Sequence, residues 1–332
     1  MKVLVISHEH GLLPLAWRLV REECDVSVAV CRSRFAKAWA GKFTPVWPPS
    51  KKIGTEQLEA IEAITTEHDD TVVITDSLLW GEQLAGKVPR LYRSLPVKGP
   101  VGPLQLGGWC TGERFDGSAY LIIEDMGLWS AGMGPNVPAG LTAINLGPNS
   151  PLAPLLDELL PHLDSFAGLV RVGLSIVEGK VTLTGIRRGW DGLFTPAFIT
   201  SQPSLSACLA GQAGTAEHKY TMAVPVSQPP WPIRCNVPAR SVVLEDLPKA
   251  VLQSTFFHDI TVPVEGKIET AGLDGLVGIV TGDADSFTLA RRKTLDVAMD
   301  LARRLPEAQF RPDSGCKVDD AVAGLELIGL GV

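Results

Sequence analysis

Apolar residues along the chain change their period several times, and the changes outline an architecture. Val3 to Ile6 is an unbroken aliphatic run that predicts a strand, and Leu12 to Val20 follows with helical spacing. Asp25 to Val30 reads as a second strand, Thr55 to Thr65 as a helix with Leu58, Ile61 and Ile64 three residues apart, and Thr71 to Asp76 as a third strand. This alternation predicts a small parallel sheet with helices on both faces, an α/β unit of Rossmann-like type over residues 1–95. Lys87 to Pro103 then carries Pro89, Pro96, Pro100 and Pro103 with Gly99 and Gly102, which predicts an extended connector without regular structure, centred on 96–103.

Beyond the connector the pattern is of α+β type. Gly107 to Cys110, Ala119 to Ile123 and Leu169 to Val177 read as strands, and Glu178-Gly179-Lys180 as a tight hairpin into Val181 to Thr184. Between them, Pro151 to Leu163 sets Leu152, Leu155, Leu156, Leu159, Leu160 and Leu163 on one helical face, with Ser150 as N-cap. A last unit, 216–332, is expected to hold strands at Tyr220 to Val226 and Leu276 to Thr281. A helix from about Ser286 to Leu305 would turn Leu289, Leu295, Ala298, Met299, Leu301 and Ala302 inward and its arginines outward.

Composition narrows the classes. A chain of 332 residues exceeds one compact core, so two or three domains are expected, and 45% hydrophobic against 20% charged residues excludes a disordered chain. The net charge of −7 supplies no overall basic field, which makes nucleic acid a poor partner. No apolar run reaches the roughly 20 residues of a spanning helix, so no membrane partner is expected and a cytoplasmic location is. The cysteines Cys24, Cys31, Cys110, Cys208, Cys235 and Cys316 never fall at C-x-x-C spacing, which suits reduced packing thiols better than zinc or disulfides.

Chemistry is sparse. The first strand runs into Ser7-His8-Glu9-His10-Gly11, where a dinucleotide site needs G-x-G-x-x-G. Ser7 and His8 read instead as a surface or phosphate-contacting loop, and His8 with His10 lacks a third metal ligand. No G-x-S-x-G elbow supports hydrolase chemistry. Trp47, Trp80, Trp109, Trp129, Trp190 and Trp231 lie in or beside loops, either buried against prolines or offering a stacking or interface surface.

Several segments, in order, resemble one family. They are Met1 to Ile6 with Leu15 to Leu19; Ile123-Glu124-Asp125-Met126-Gly127-Leu128; Met133-Gly134-Pro135-Asn136-Val137-Pro138-Ala139-Gly140; and Asn149-Ser150-Pro151-Leu152. Ala223 to Pro232, Val277 to Asp283 and Phe310-Arg311-Pro312-Asp313-Ser314-Gly315 continue the match. Together they resemble the ATP-grasp ligases, specifically glycinamide ribonucleotide synthetase (phosphoribosylamine–glycine ligase) and its phage-encoded relatives. The resemblance implies a Rossmann-like pre-ATP-grasp domain over 1–95, an ATP-grasp sheet domain over 104–215 and a C-terminal α+β domain over 216–332. It also implies activation of a carboxylate by ATP and Mg²⁺, followed by attack of an amine.

Departures from the family pattern shape the expected function. Only 27 residues separate Asp76 from Leu104, too few for the family's ATP lid of about four strands and two helices, which needs on the order of 40. Lys87 and Lys98 in that stretch read as solvated charges. Leu183 or Thr184 stands where the family's metal-binding glutamate would be and Gly185 near its asparagine, and neutral side chains there hold Mg²⁺ poorly. The resemblance leaves Glu124 and Asp125 as candidate metal ligands and Arg187, Arg188 and Asn136 as candidate catalytic residues. Ser7, His8, Gly134, Pro135 and Asn136 are candidate ligand contacts; Arg187 or Arg188 is equally read as an ion-pair partner of Glu178 or Asp191. The leading expectation is a degenerate, non-catalytic ATP-grasp protein without a cofactor, binding a small phosphorylated or nucleotide ligand, or a protein partner such as an active relative with which it forms an oligomer. The alternatives are an active carboxylate–amine ligase using ATP and Mg²⁺, and a phage structural or assembly protein.

Overall fold

In a computed structural model, residues 1–332 are described except 48, 51, 68–69, 148, 234–236 and 263–266, so Cys235 lies outside the described residues. The N-terminal segment forms β1 (Lys2–Ser7), α1 (Leu13–Arg21), β2 (Asp25–Val30), α2 (Thr55–Glu67), β3 (Val72–Thr75), α3 (Leu78–Leu84) and β4 (Leu91–Arg93). Its strands pair in parallel in the order β2-β1-β3-β4. Val3, Val5, Ile6, Val72, Val73 and Ile74 are buried, as a parallel sheet covered on both faces requires. The chain leaves β1 toward β2 on one side and returns to β3 on the other, so the carboxyl ends of β1 and β3 flank the switch point where open α/β sheets bind ligands.

The proline-rich stretch expected to lack regular structure instead completes two sheets. β4 closes the first, and β5 (Leu95–Lys98) pairs antiparallel with β10 at the rim of the second. An edge position tolerates Pro96, which has no N–H to donate. Among the described residues nothing between Asp76 and Leu104 stands apart as a subdomain.

The second sheet has nine strands, in the order β13-β16-β11-β8-β7-β6-β9-β10-β5. Its members are β6 (Leu104–Thr111), β7 (Phe115–Met126), β8 (Pro138–Leu146), β9 (Ala167–Val177), β10 (Lys180–Arg188), β11 (Tyr220–Ser227), β13 (Thr255–Phe257) and β16 (Leu276–Ala284), with β5 already named. Because β11 pairs with β8, one sheet crosses the division expected at residue 215. Glu178 and Gly179, both at positive φ, make the hairpin between β9 and β10 as read from the sequence. A small antiparallel sheet, β12 (Val243–Leu244), β14 (Ile260–Thr261) and β15 (Ile268–Thr270), lies beside it in the order β12-β15-β14.

Strand alternation sorts the sheet's side chains into two cores. Trp109, Tyr120, Ile122, Leu141 and Leu169 pack with Phe194, Ala197 and Phe198 of α5 (Phe194–Ser201) and with Leu205 of α6 (Leu205–Leu209). Leu106, Leu121, Ile123, Val170 and Val172 pack with Leu152, Leu156, Leu159 and Leu163, and with Val318 and Leu325 of α9 (Val318–Leu327). The leucine segment keeps its inward face but is not the continuous helix expected. Pro154 opens a four-residue turn of α4 (Pro154–Asp157), a 3₁₀ turn with Pro161 follows at Leu160–His162, and Ser150 caps neither. α7 (Lys249–Ser254) packs on α8 (Phe287–Ala302), which Ser286 caps as a hydroxyl acceptor for Leu289 N–H. Its buried stripe is Ala290, Thr294, Ala298, Leu301 and Ala302, narrower than expected, and Met299 is exposed.

Candidate functional site

On β7, Glu124 and Asp125 point to opposite faces of the sheet, and each is engaged by the protein itself. Arg171 Nη1 on β9 donates to Glu124 Oε1 at 2.6 Å, and Gln105 Nε2 on β6 donates to Glu124 Oε2 at 3.0 Å. Arg171 Nη2 also donates to Asp191, which accepts from Phe194 N–H at 3.1 Å and lies 3.6 Å from Arg187 Nη1. Arg171 is buried, and its two carboxylates raise its pKa against the burial that would lower it. Asp125, on the other face, accepts from Gly315 N–H at 2.6 Å. Nearby, buried Arg311 donates to Met126 O at 2.7 Å and pairs with Asp313. The segment Arg311 to Gly315 therefore works as a clasp on the end of β7.

β10, the strand where the family resemblance would place metal ligands, is crossed by the connector. Gly185 N–H donates to Pro100 O at 2.8 Å, and a Cβ at Gly185 would meet Gly99 and Pro100 backbone atoms at 2.5 Å. Only glycine permits this crossing. Thr184 is exposed, and Leu183 is half-buried against the leucine-lined core.

A cavity of about 350 Å³ opens at the carboxyl ends of β1 and β3, walled by Trp190, Trp231 and Phe256. Ser7, expected to face a ligand, is fully buried. Its Oγ accepts from Leu12 N–H at 3.2 Å and donates to Asp76 at 3.5 Å, while His8 N–H donates to Asp76. Burial, opposed by that His8 hydrogen bond, pushes the Asp76 carboxyl up to about 6. His8 is exposed at the rim, whereas His10 is buried and its Nε2 lies 3.3 Å from Asp274 Oδ1. Burial works against charge on His10, but the hydrogen bond and charge of Asp274 outweigh it and raise its pKa. His258, edge-on to His10 with ring centroids 5.8 Å apart, is also buried, and neither of its ring nitrogens has a partner. Burial and the neighbouring His10 drive His258 down to about 3, so its imidazole is neutral. Asp259 props this wall by accepting the N–H groups of Leu273, Asp274 and Gly275. Among the described residues the cavity is lined by the carboxylates Glu9, Asp76, Asp191 and Asp274 and by no lysine or arginine.

The structure thus splits the residues singled out in the sequence. His8 lines the cavity, and Glu124 and Arg187 reach it only through the Arg171–Asp191 chain. Arg188 points to the other face, 3.7 Å from Asp164. Gly134, Pro135 and Asn136 form a separate loop folded over Trp129, whose ring leaves no room for a Cβ at Gly134. Asp76, Arg171, His258 and Asp274 went unread: an arginine inside the apolar run Leu169 to Val177 was the one available signal. Among the described residues no group of three His, Cys, Asp or Glu side chains is placed to hold a metal ion. Trp80, Trp109 and Trp190 are buried, whereas Trp129 is exposed.

The parallel sheet joined to a nine-stranded antiparallel sheet has its likeness among solved ATP-grasp ligases, the family that the sequence motifs resemble. The chain superposes on phosphoribosylamine–glycine ligase from Thermotoga maritima with a TM-score of 0.64, over 95% of this chain and 100% of that one, at 12% identity. It matches Kluyveromyces lactis urea carboxylase with a TM-score of 0.51 at 10% identity, over 92% of this chain and 30% of that one. For K. lactis urea amidolyase the values are 0.54 and 9%, over 89% of this chain and 20% of the other. At these identities the likeness is one of fold. No protein-family model and no curated protein matches the sequence. Among the described residues no helix is long and apolar enough to cross a membrane.

Proposed function

We propose that this protein is a catalytically silent ATP-grasp scaffold that acts by binding a small ligand in the cleft at the ends of β1 and β3. The observation that carries this reading is the fate of the acidic pair. Glu124 is neutralised by buried Arg171, Asp125 is spent on Gly315 N–H, and the connector lies over Gly185. Mg²⁺ demands several oxygen donors free to converge in near-octahedral geometry. The residues present do not fit Mg-ATP.

The cleft also bears on the ligand. Its His8 N–H is already satisfied by Asp76, and no lysine or arginine among the described residues lines it, its carboxylates being paired with the protein's own groups, so the phosphorylated ligand expected from the sequence is less well matched than a neutral, hydrogen-bonding molecule. Titration calorimetry with millimolar Mg-ATP is expected to show no saturable heat, and incubation with amines and amino acids no ADP. Micromolar Mg-ATP binding that disappears in Arg187→Ala would overturn the proposal in favour of an active ligase.

A further inference from the structure

A second cavity, which shares Pro14 and Phe256 with the wall of the cleft, is lined by charges of the opposite sign. It measures about 370 Å³ and lies between α1, the loop carrying Trp39 and Lys42, and β13 with the end of α7. Its floor is aromatic. Trp17 and Trp39 sit with ring centroids 6.1 Å apart at 42°, and Phe256 and Phe257 continue the wall. Trp39 is fixed from both ends, its backbone N–H donating to Ile260 O at 2.6 Å and its Nε1 to Phe257 O at 3.2 Å. The Trp39 ring is therefore set in place before any ligand arrives, which lowers the ordering cost of binding.

The rim is cationic. Arg18, Arg21 and Lys42 line the cavity, and among the described residues no carboxylate does, although the chain as a whole carries a net charge of −7. Lys42 Nζ lies 3.9 Å from the centre of the Trp17 ring, so the charge is held over the aromatic floor. Arg18 is partly committed to Glu22 at 2.7 Å, whereas Arg21 and Lys42 are exposed and make no ion pair among the described residues. Thr255, buried in the wall, has a hydroxyl without a partner. A cavity of this size holds a small organic molecule. Flat aromatic walls favour an aromatic body, and unpaired cations at the mouth favour an anionic head.

We propose that this cavity is a binding site for a small aromatic carboxylate, its ring entering the aromatic-walled cavity beside Phe256 and the Trp17 edge and its carboxylate meeting Arg21 and Lys42. The site is independent of the silent-scaffold reading, because it shares no polar group with the cleft or with the Glu124–Arg171 cluster.

The test is calorimetry on the full chain with 1-naphthoate, compared with decanoate and with the uncharged 1-naphthalenemethanol. Saturable binding of 1-naphthoate is expected, about tenfold tighter than 1-naphthalenemethanol and tighter than decanoate. The double variant Arg21→Glu/Lys42→Glu, both positions being exposed, is expected to keep the wild-type melting temperature and weaken 1-naphthoate about tenfold while leaving 1-naphthalenemethanol unchanged. No saturable binding, equal affinity for acid and alcohol, or an affinity untouched by the double variant would each overturn the proposal. Tighter binding of decanoate would overturn the aromatic assignment and point to an acyl carboxylate.

Discussion

Replacing Arg171 by alanine tests whether the acidic cluster is structural. The side chain is 3% exposed and its two carboxylate partners 10% each, so truncation leaves Glu124 and Asp191 buried without their shared counter-charge. Breaking a buried pair by removing one partner costs about 3–5 kcal/mol. The lower end applies, because Glu124 keeps Gln105 and Asp191 keeps Phe194 N–H and the Arg187 charge. Loss of the guanidinium over the Phe194 ring, 5.6 Å away, adds roughly 0.5 kcal/mol. A total of about 3.5 kcal/mol corresponds to a fall of roughly 5 °C in melting temperature for a chain of this size. Arg171→Met combined with Glu124→Gln and Asp191→Asn is expected to recover most of that loss, since a neutral set of similar volume carries no unpaired charge. Differential scanning calorimetry of the wild type and both variants, with and without Mg²⁺, is the assay. A loss below about 1 kcal/mol in Arg171→Ala, or stabilisation of the wild type by Mg²⁺, would refute the reasoning.

Two further perturbations probe the cleft and the connector. The Asp76 carboxyl, near 6 in the folded protein against an ordinary 3.8, binds its proton more tightly folded than unfolded, so its contribution to stability falls as pH rises from about 4 to about 6. Asp76 is half-buried, so Asp76→Asn is expected to gain only roughly 1–2 kcal/mol over wild type across that window and to hold the gain at neutral pH, read from urea midpoints; parallel curves would contradict it. Gly185→Asn restores the residue type that the family resemblance places there, but its Cβ would strike Gly99 and Pro100 at 2.5 Å. A cost of about 1–3 kcal/mol and faster tryptic cleavage after exposed Lys98 are expected, and an unchanged cleavage rate would show that the connector is not held by this crossing.

Much of the fold was legible because periodicity reports burial directly. The parallel unit from β1 to β3, six of the nine strands of the large sheet and the Glu178-Gly179 hairpin follow from local pattern and turn chemistry, whereas β5, β8 and β13 were not read as strands. Errors arose at prolines, in both directions: they were read through in the leucine segment and read as an absence of structure in the connector. In the leucine segment the period at Leu152, Leu156, Leu159 and Leu163 reports a buried face correctly, while Pro154 and Pro161 break the helix that would normally carry it. In β5, Pro96 is compatible with a strand because that strand is an edge, a fact about the whole sheet. The site was less legible for a related reason. Arg171 meets acids 47 and 20 residues away, and His10 meets Asp274 and His258 across most of the chain, so no local spacing marks them.

The connector links stability to the proposed loss of chemistry. Without β5, β10 would present an open row of backbone donors and acceptors at the end of a nine-stranded sheet, a template for unwanted pairing. β5 covers that edge, and the crossing of Gly99 over Gly185 lets the chain proceed from β5 into β6. In the proposed reading the same crossing fills the position from which a metal ligand would reach out, and Arg171 supplies the positive charge beside Glu124. Under that reading, ligase chemistry would require displacing the connector, removing Arg171 and adding donors on β10 together. Any one of these changes alone is expected to cost stability without creating a site, which is why the scaffold is more consistent with binding in its acidic cleft than with an enzyme one substitution from activity.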